Sequence, residues 1–432
     1  MKKGLYENKM NEFFTDKTVL ILGLGLEGKS TLKILENLPC KIIVADKNPE
    51  AVKNLPYKFY VGENYLDALY DRETDIIMKS PGISFKGLEI PDSVKRKITS
   101  QTDLLLRFRK NKIIGITGTK GKSTVSSLIY HILTSCGKNA VLIGNIGVPP
   151  LEFISLHESS SSRLDEGIDS AVTAVCEMSC HQLEFVQASP HIAVLLNIYE
   201  EHLDHYNSFA DYRAAKENIY RYQREGDILI RGEDDDLHQY RALLDPKATK
   251  LRGGHNYNNI AVALKTAALF GCDKEQAVKA AQNFEGLPHR LESVGEINGV
   301  KFINDSISTI PKAAIFALEA FPDTDTIIIG GMDRGINYEE LTNFLQKVDK
   351  NQNRGIINLI ALPDSGFKVA DTLETGSINI YRAQDMEEAV NYAVKVTKRC
   401  CILSPAAASY NTYKNFEERG EHFKALIKSI DK

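Results

Sequence analysis

The sequence predicts an α/β protein of two or three domains with largely parallel sheets. Three observations carry this. Short runs rich in Val, Ile and Leu alternate with helix-periodic stretches along most of the chain. Two of those runs pass directly into glycine-rich turns that open helices, at Gly23–Gly28 and Gly118–Thr124. The chain has 432 residues, more than one ordinary domain.

Three blocks follow in order. In the first, up to about Arg109, Val19–Leu22 reads as a buried strand. The turn Gly23-Leu24-Gly25-Leu26-Glu27-Gly28 and a helix to Asn37 come next. Lys41–Ala45 is a second strand ending at Asp46, and Asp75–Lys79 a third, capped by Ser80-Pro81-Gly82-Ile83. The second block starts at Lys112. The strand Ile113–Thr117 enters a loop, and a helix over 122–135 places Val125, Leu128, Ile129, Ile132 and Leu133 on one face. Strands are expected at Ala140–Ile143, Ala171–Cys176 and Ile192–Leu196, with a solvated loop at His157–Gly167. Helices are expected at Phe209–Arg224 and Asn256–Phe270. The third block starts near Gly286, with strands at Val300–Asn304, Thr326–Ile329, Ile356–Leu362 and Cys400–Leu403 and helices between them.

Composition narrows the function. A formal net charge of −4 argues against a chain built to coat nucleic acid or an anionic membrane. No apolar run is long enough to span a bilayer, and the polar N-terminus lacks a signal-peptide core. Seven dispersed cysteines fit a reducing cytosol. Cys176, Cys180 and His181 have no second ligand cluster nearby in sequence, so small buried residues beside a strand are the better reading.

The loop Gly118-Thr119-Lys120-Gly121-Lys122-Ser123-Thr124 suits a triphosphate. Glycines let backbone N–H groups approach phosphates, and the helix N-terminus adds partial positive charge. Lys122 can reach the β/γ-phosphates and the Ser123 hydroxyl can hold Mg²⁺. Ile116 stands where a strict phosphate loop has its first glycine; the alternative is a strand–helix turn with an incidental lysine. Gly23-x-Gly25-x-x-Gly28 with Asp46 fits a dinucleotide fingerprint, or more generally any nucleotide diphosphate, or glycines kept only for a tight turn. Glu177 ends a strand where a carboxylate can hold Mg²⁺ or charge the next helix N-terminus. His202 can ligate metal, contact phosphate or serve structure. Lys216, on its own, reads as a solvated helix lysine. Asn256 to Asn259 can cap a helix or read an adenine edge. Arg334 can clamp a carboxylate, or sit in an ordinary turn.

Together these motifs resemble the Mur ligases, ATP-dependent amino-acid ligases of peptidoglycan precursor synthesis, over nearly the whole chain. The ordered matches also include Gly144-Asn145-Ile146-Gly147, Glu177–Glu184, Glu201-His202-Leu203-Asp204, Tyr212–Lys216, Gly286–Arg290, Asn304-Asp305-Ser306, Leu403–Ala406 and Lys414–Gly420. The resemblance implies a UDP-binding Rossmann-like domain (1–110), a central ATPase domain (111–287) and a C-terminal Rossmann-like domain (288–432). It turns the first fingerprint into a UDP site with Gly25, Leu26, Glu27, Asp46, Ser80 and Gly82, and points Asn145 and Ser179 at the acceptor's muramoyl-alanine end. It overturns the solvated reading of Lys216, which matches the family's carbamylated, Mg²⁺-binding lysine. Ser123, Glu177 and His202 complete a magnesium centre of two sites, and Lys122, His202 and Lys216 are the catalytic set. Asn259, Arg290 and Asp305 match nucleotide contacts. Arg334, Ser409 and Phe416 belong to the glutamate side.

The implied reaction joins D-glutamate to UDP-N-acetylmuramoyl-L-alanine through an acyl phosphate. The setting is a cytoplasmic monomer with no membrane or nucleic-acid partner. L-glutamate, another Mur reaction or a folylpolyglutamate-type ligation are the alternatives. The chain departs from the family's glutamate ligases at three places. They commonly show Asp-Ser-Lys-Ala-Thr-Asn, whereas this chain has Asp305-Ser306-Ile307-Ser308-Thr309-Ile310. Arg334 stands in a region where some relatives have lysine, and His181 where phenylalanine is common. These changes bear on the amino acid and the sugar-peptide, not on ATP use.

Overall fold

The computed structural model describes residues 5–109, 113–146, 148–153, 172–202, 205–251, 254–349, 355–373 and 378–430. The expected loop His157–Gly167, Gly147 and the Leu203-Asp204 pair lie outside them. Among the described residues three sheets follow one another. The first comprises β1 (Thr18–Leu22), β2 (Lys41–Asp46), β3 (Lys58–Val61), β4 (Ile76–Lys79) and β5 (Ile98–Thr99), ordered β3-β2-β1-β4-β5. The second comprises β6 (Ile113–Thr117), β7 (Ala140–Gly144), β8 (Thr173–Glu177), β9 (Ile192–Leu195) and β10 (Ile228–Arg231), ordered β10-β9-β6-β8-β7. The third comprises β11 (Glu292–Ile297), β12 (Val300–Asn304), β13 (Thr326–Gly331), β14 (Asn358–Asp364), β15 (Asn379–Arg382) and β16 (Cys400–Leu403), ordered β11-β12-β16-β13-β14-β15. Their ladders are parallel except that between β11 and β12.

The chain divides into two compact units. One holds Met1–Thr249 with Gly254–Phe284, and so the first two sheets; the other holds Lys250–Gly253 with Glu285–Lys432, and so the third. The interior strands explain the apolar runs. Parallel sheets covered on both faces bury successive residues on each side, so β1, β6, β9, β13 and β16 are buried at every position. The five apolar residues expected on one face of the helix Lys122–Ser135 are all fully buried.

Both glycine-rich turns leave the carboxyl end of a central strand, β1 or β6. Each strand has parallel neighbours on both sides, the position where open α/β sheets collect ligands. The first turn needs its glycines for two different reasons. Gly23 has φ +92°, and a Cβ on Gly28 would stand 1.9 Å from the Gly23 carbonyl oxygen. Gly28→Ala should therefore force the turn apart and lower stability by about 1–3 kcal/mol. A urea melt showing no loss would contradict that close approach.

Candidate functional site

The phosphate loop is built around two lysines that point at one carbonyl. Lys122 Nζ donates to Gly118 O at 2.9 Å and Thr119 O at 3.1 Å. Lys216 Nζ, from the helix Phe209–Arg221, donates to the same Gly118 O at 2.8 Å. Lys216 is 1% exposed, so it is not a solvated helix lysine. Its burial, then the nearby Lys122 charge, hold its amine down to about 7. Burial also lowers Lys122, against the charges of Glu177 and Glu201.

The loop's N–H groups divide into two sets. Thr119 N donates to Asn197 O at 2.8 Å, and Lys120 N to Asn197 Oδ1 at 2.9 Å. Those two donors are engaged within the protein. The helix ladder begins with Val125 N on Gly121 O at 2.9 Å, so the first-turn N–H groups of Lys122, Ser123 and Thr124 have no carbonyl a turn behind them. They are free to meet an anion at the helix N-terminus. Gly121 (φ +87°) lies against Asn259, whose Oδ1 would be 3.0 Å from a Cβ added there. Asn259 is thus placed at the loop, and its Nδ2 donates to Asn256 Oδ1 at 3.0 Å.

Glu177 ends β8 beside Ile116 of β6, the strand that feeds the loop. It is 1% exposed. Oε1 accepts from Asn145 Nδ2 at 2.8 Å, while Oε2 is buried without a protein partner. An orphaned buried carboxylate oxygen beside a phosphate loop fits a hard divalent cation. His202 lies in the left-handed region at φ 59°, its ring 5.0 Å from His181 and 6.0 Å from Tyr212. The Tyr212 hydroxyl meets Thr119 Oγ1 at 2.8 Å, which ties the His202 neighbourhood to the loop. Among the described residues no three His, Cys, Asp or Glu side chains gather as a cation cage. A cation here would therefore also draw on oxygens from Ser123 and a modified Lys216. Cys176 and Cys180 are buried, as expected of small residues beside a strand.

The first turn's expected contacts are mostly braced by the protein itself. Asp46 Oδ2 accepts from Leu24 N at 2.6 Å and so braces the turn, while Oδ1 accepts from Asn48 N at 2.8 Å just after its own strand. Ser80 Oγ donates to Gly23 O at 2.7 Å. Glu27 accepts from Gln182 Nε2 at 2.6 Å, and burial raises its carboxyl. Ser179 caps the turn Cys180–Leu183 reciprocally with Gln182. Gly25 and Gly82 face open space, and Leu26 is 81% exposed at the helix start, so these three remain available to a ligand. His181 Nε2 is buried and unpartnered, and burial holds the ring neutral, its pKa lowered to about 3.

Arg290, Asp305, Arg334, Ser409 and Phe416 belong to the second unit. Burial raises Asp305 to about 7, opposed by the Ser404 hydroxyl at 2.8 Å, the Arg290 charge and the Leu291 N–H. Arg290 Nε is buried without a partner. Arg334 is exposed and donates to Thr309 O at 3.1 Å, beside the segment that carries Ile307. Ser409 is buried, and Phe416 O accepts from Ser306 Oγ at 2.8 Å. One residue the motif reading quoted without a role is central here. Arg419 is 1% exposed and donates to Ser306 Oγ, Ser306 O and Ala407 O, pinning the carboxyl ends of β12 and β16 together. Tyr212 likewise lies inside a quoted motif, and Asn197 directly follows the expected strand Ile192–Leu196; only their partners reveal what they hold.

Comparison with known proteins fits this geometry. A family model described as the Mur ligase middle domain matches residues 116–259. The UDP-N-acetylmuramoylalanine–D-glutamate ligase of Geobacter sp. (strain M21) is 31% identical over 474 residues, covering 96% of this chain and 98% of that protein. The enzyme of the same name from Acetivibrio thermocellus is 31% identical over 487 residues, covering 98% of this chain and 99% of its own length. Among solved structures, the UDP-N-acetylmuramate–alanine ligase of Thermotoga maritima superposes with TM-score 0.54 at 18% identity, covering 96% of this chain and 100% of that one. The MurF ligase of Thermotoga maritima, solved with ADP, gives TM-score 0.52 at 16% identity, covering 97% of each chain.

Proposed function

The chain belongs to the Mur ligase family of ATP-dependent amide-bond-forming ligases, and we propose that it joins D-glutamate to UDP-N-acetylmuramoyl-L-alanine. The observation that carries the reading is the buried Lys216 amine on the Gly118 carbonyl, beside Lys122 and the unpartnered Glu177 oxygen. The setting is peptidoglycan precursor synthesis in the cytoplasm, by a monomer. The working domains are 1–110 for the UDP-linked acceptor, 111–287 for ATP and 288–432 for glutamate.

In this reading the acceptor's alanine carboxylate attacks the γ-phosphorus of ATP, forming an O–P bond as the bond to ADP breaks. The neutral glutamate amine then attacks the acyl carbonyl, loses a proton, and phosphate departs with the C–O bond. Both reactants of the first step are anionic. The first-turn N–H groups and Lys122 offset their repulsion as charge builds on the γ-phosphoryl oxygens. Ser123, Glu177, His202 and carbamylated Lys216 would hold Mg²⁺, which supplies charge neutralisation at the phosphates when bound. Carbamylation fits the amine: a lysine titrating near 7 is substantially neutral at working pH and can capture CO₂. Thr119, Lys120 and Gly121 shape the loop, and Asn259 beside it receives the nucleoside; in the second unit, Arg290 and Asp305 are that unit's nucleotide contacts. The acceptor's diphosphate and uridine take Gly25, Leu26 and Gly82, in a turn shaped by Glu27, Asp46 and Ser80. Asn145 and Ser179 face the acceptor's peptide end.

One observation favours L-glutamate as the second reading. Ile307 brings no charge to a run where glutamate ligases of the family commonly carry lysine. The nearby cation is instead Arg334, on the Thr309 carbonyl. Arg334 then takes a glutamate carboxylate, with Ser409 and Phe416 beside it. The test is phosphate release from ATP with Mg²⁺ and the UDP-linked acceptor, run with D- and L-glutamate separately. Release that needs acceptor and D-glutamate together is expected. Release with L-glutamate alone would select the second reading, and no amino-acid-dependent release would overturn both.

A further inference from the structure

We infer that Asn197 is a positioning residue that sets the phosphate loop for ATP; the inference rests on the ATP site proposed above. Asn197 follows β9, the strand beside β6. Its side-chain amide pairs with both backbone polar groups of Lys120. Oδ1 accepts from Lys120 N at 2.9 Å, and Nδ2 donates to Lys120 O at 3.0 Å. That reciprocal pair fixes which amide atom is which. It copies a strand-to-strand ladder step with a side chain, just where β6 has ended and the loop must turn away. The main-chain Asn197 O accepts from Thr119 N at 2.8 Å. Two residues on, Tyr199 N donates to Thr119 Oγ1 at 2.9 Å. These bonds together bind residues 119 and 120 to one short segment.

The consequence is directional. With the N–H groups of Thr119 and Lys120 turned onto Asn197, the chain enters Gly121 at φ +87° and delivers the first-turn N–H groups toward the anion. Lys122 folds back onto the carbonyls of Gly118 and Thr119, so its ammonium is placed by the same two peptides that Asn197 holds. The segment continues to Glu201, whose Oε1 takes Lys120 Nζ at 2.6 Å, and to His202. Asn197 needs to touch neither nucleotide nor acceptor. It acts on ATP through the shape of the loop. Two hydrogen bonds at a half-buried site suffice to define that shape without holding the domain together.

The test uses the full chain with Asn197→Ala and Asn197→Asp. Asn197→Ala removes both side-chain bonds. Asn197→Asp keeps the acceptor for Lys120 N but sets a carboxylate against Lys120 O, and adds negative charge near the phosphates. We expect KM for ATP to rise about fivefold or more in the alanine variant and further in the aspartate variant. KM for the UDP-linked acceptor should stay within about twofold, and the thermal shift induced by Mg²⁺–ADP should shrink in the same order. Wild-type values of KM for ATP in both variants would overturn the inference. So would equal rises in both KM values, which would mark a merely structural residue. A wild-type chain that shows no nucleotide-induced shift would instead overturn the ATP reading itself.

Discussion

Lys122→Ala is expected to lower amino-acid-dependent phosphate release by about 10³-fold or more while leaving the fold intact. The size follows from the charges. Transfer brings an acceptor carboxylate against a triphosphate, and the Lys122 ammonium stands inside the loop on the Gly118 and Thr119 carbonyls. One unit charge about 4 Å from developing negative charge, at an effective dielectric near 20, is worth about 4 kcal/mol, or roughly three decades in rate. The helix N-terminus offers only about half a charge in its place. The fold should tolerate the change. Burial already disfavours the Lys122 charge, and the helix keeps its fully buried face of Val125, Leu128, Ile129, Ile132 and Leu133. A thermal melt like that of the wild type, beside lost turnover, is the expected pair of results. Retention of a tenth of the activity would refute the phosphate role.

The parts of the fold that the sequence revealed are those buried on both faces. β1, β6, β9, β13 and β16 are continuous apolar runs because helices cover both sides of each sheet. The strands that escaped reading lie at or near edges. β3, β5, β10, β11 and β15 are short or partly exposed, and Lys58 and Tyr60 or Asn379 and Arg382 carry no strong apolar signal. Expected helix ends overshot as well, at Arg224 and Phe270 against the observed Arg221 and Ala268. Chain ends of helices depend on caps and packing more than on periodicity.

The site divides along a similar line. Gly118–Thr124 was legible because a phosphate loop has local grammar: strand, glycines, lysine, helix. Lys216 was not legible from its surroundings in sequence. Nothing in Tyr212-Arg213-Ala214-Ala215-Lys216 says that its amine meets a carbonyl 98 residues earlier. The pairs Glu27–Gln182 and Lys79–Glu184, the latter at 3.1 Å, join the first two sheets across more than a hundred residues and have no local signature. Asn197 is legible only as a turn residue until its amide is seen to complete the Lys120 peptide. Long-range pairing of this kind is set by how distant elements meet in the fold, which local periodicity does not encode.

Lys216→Ala should lose turnover as completely as the loss of Lys122, for a different chemical reason. The amine is buried against Gly118 O and titrates near 7 in place of the ordinary 10.5, chiefly through burial and then through the Lys122 charge. On the proposed reading the neutral amine adds to CO₂, and the resulting carbamate would turn a would-be cation into an oxygen donor beside Glu177. Alanine has no amine to convert, so bicarbonate should restore nothing to the variant, whereas short carboxylic acids should partly refill the missing oxygen donor. Wild-type protein kept free of CO₂ should lose activity and regain it with bicarbonate. The pH dependence has a defined sign. Below about 7 the folded amine takes a proton, CO₂ capture stops and activity should fall. Between about 7 and 10.5 the unfolded chain binds one proton more than the folded one at this site, so its share of stability rises with pH across that window. Lys216→Ala should flatten that rise in pH-resolved urea melts. Full activity of the variant without added acid would remove Lys216 from the chemistry, and activity of the wild type indifferent to CO₂ would remove the carbamate while leaving the lysine as a loop-bracing cation.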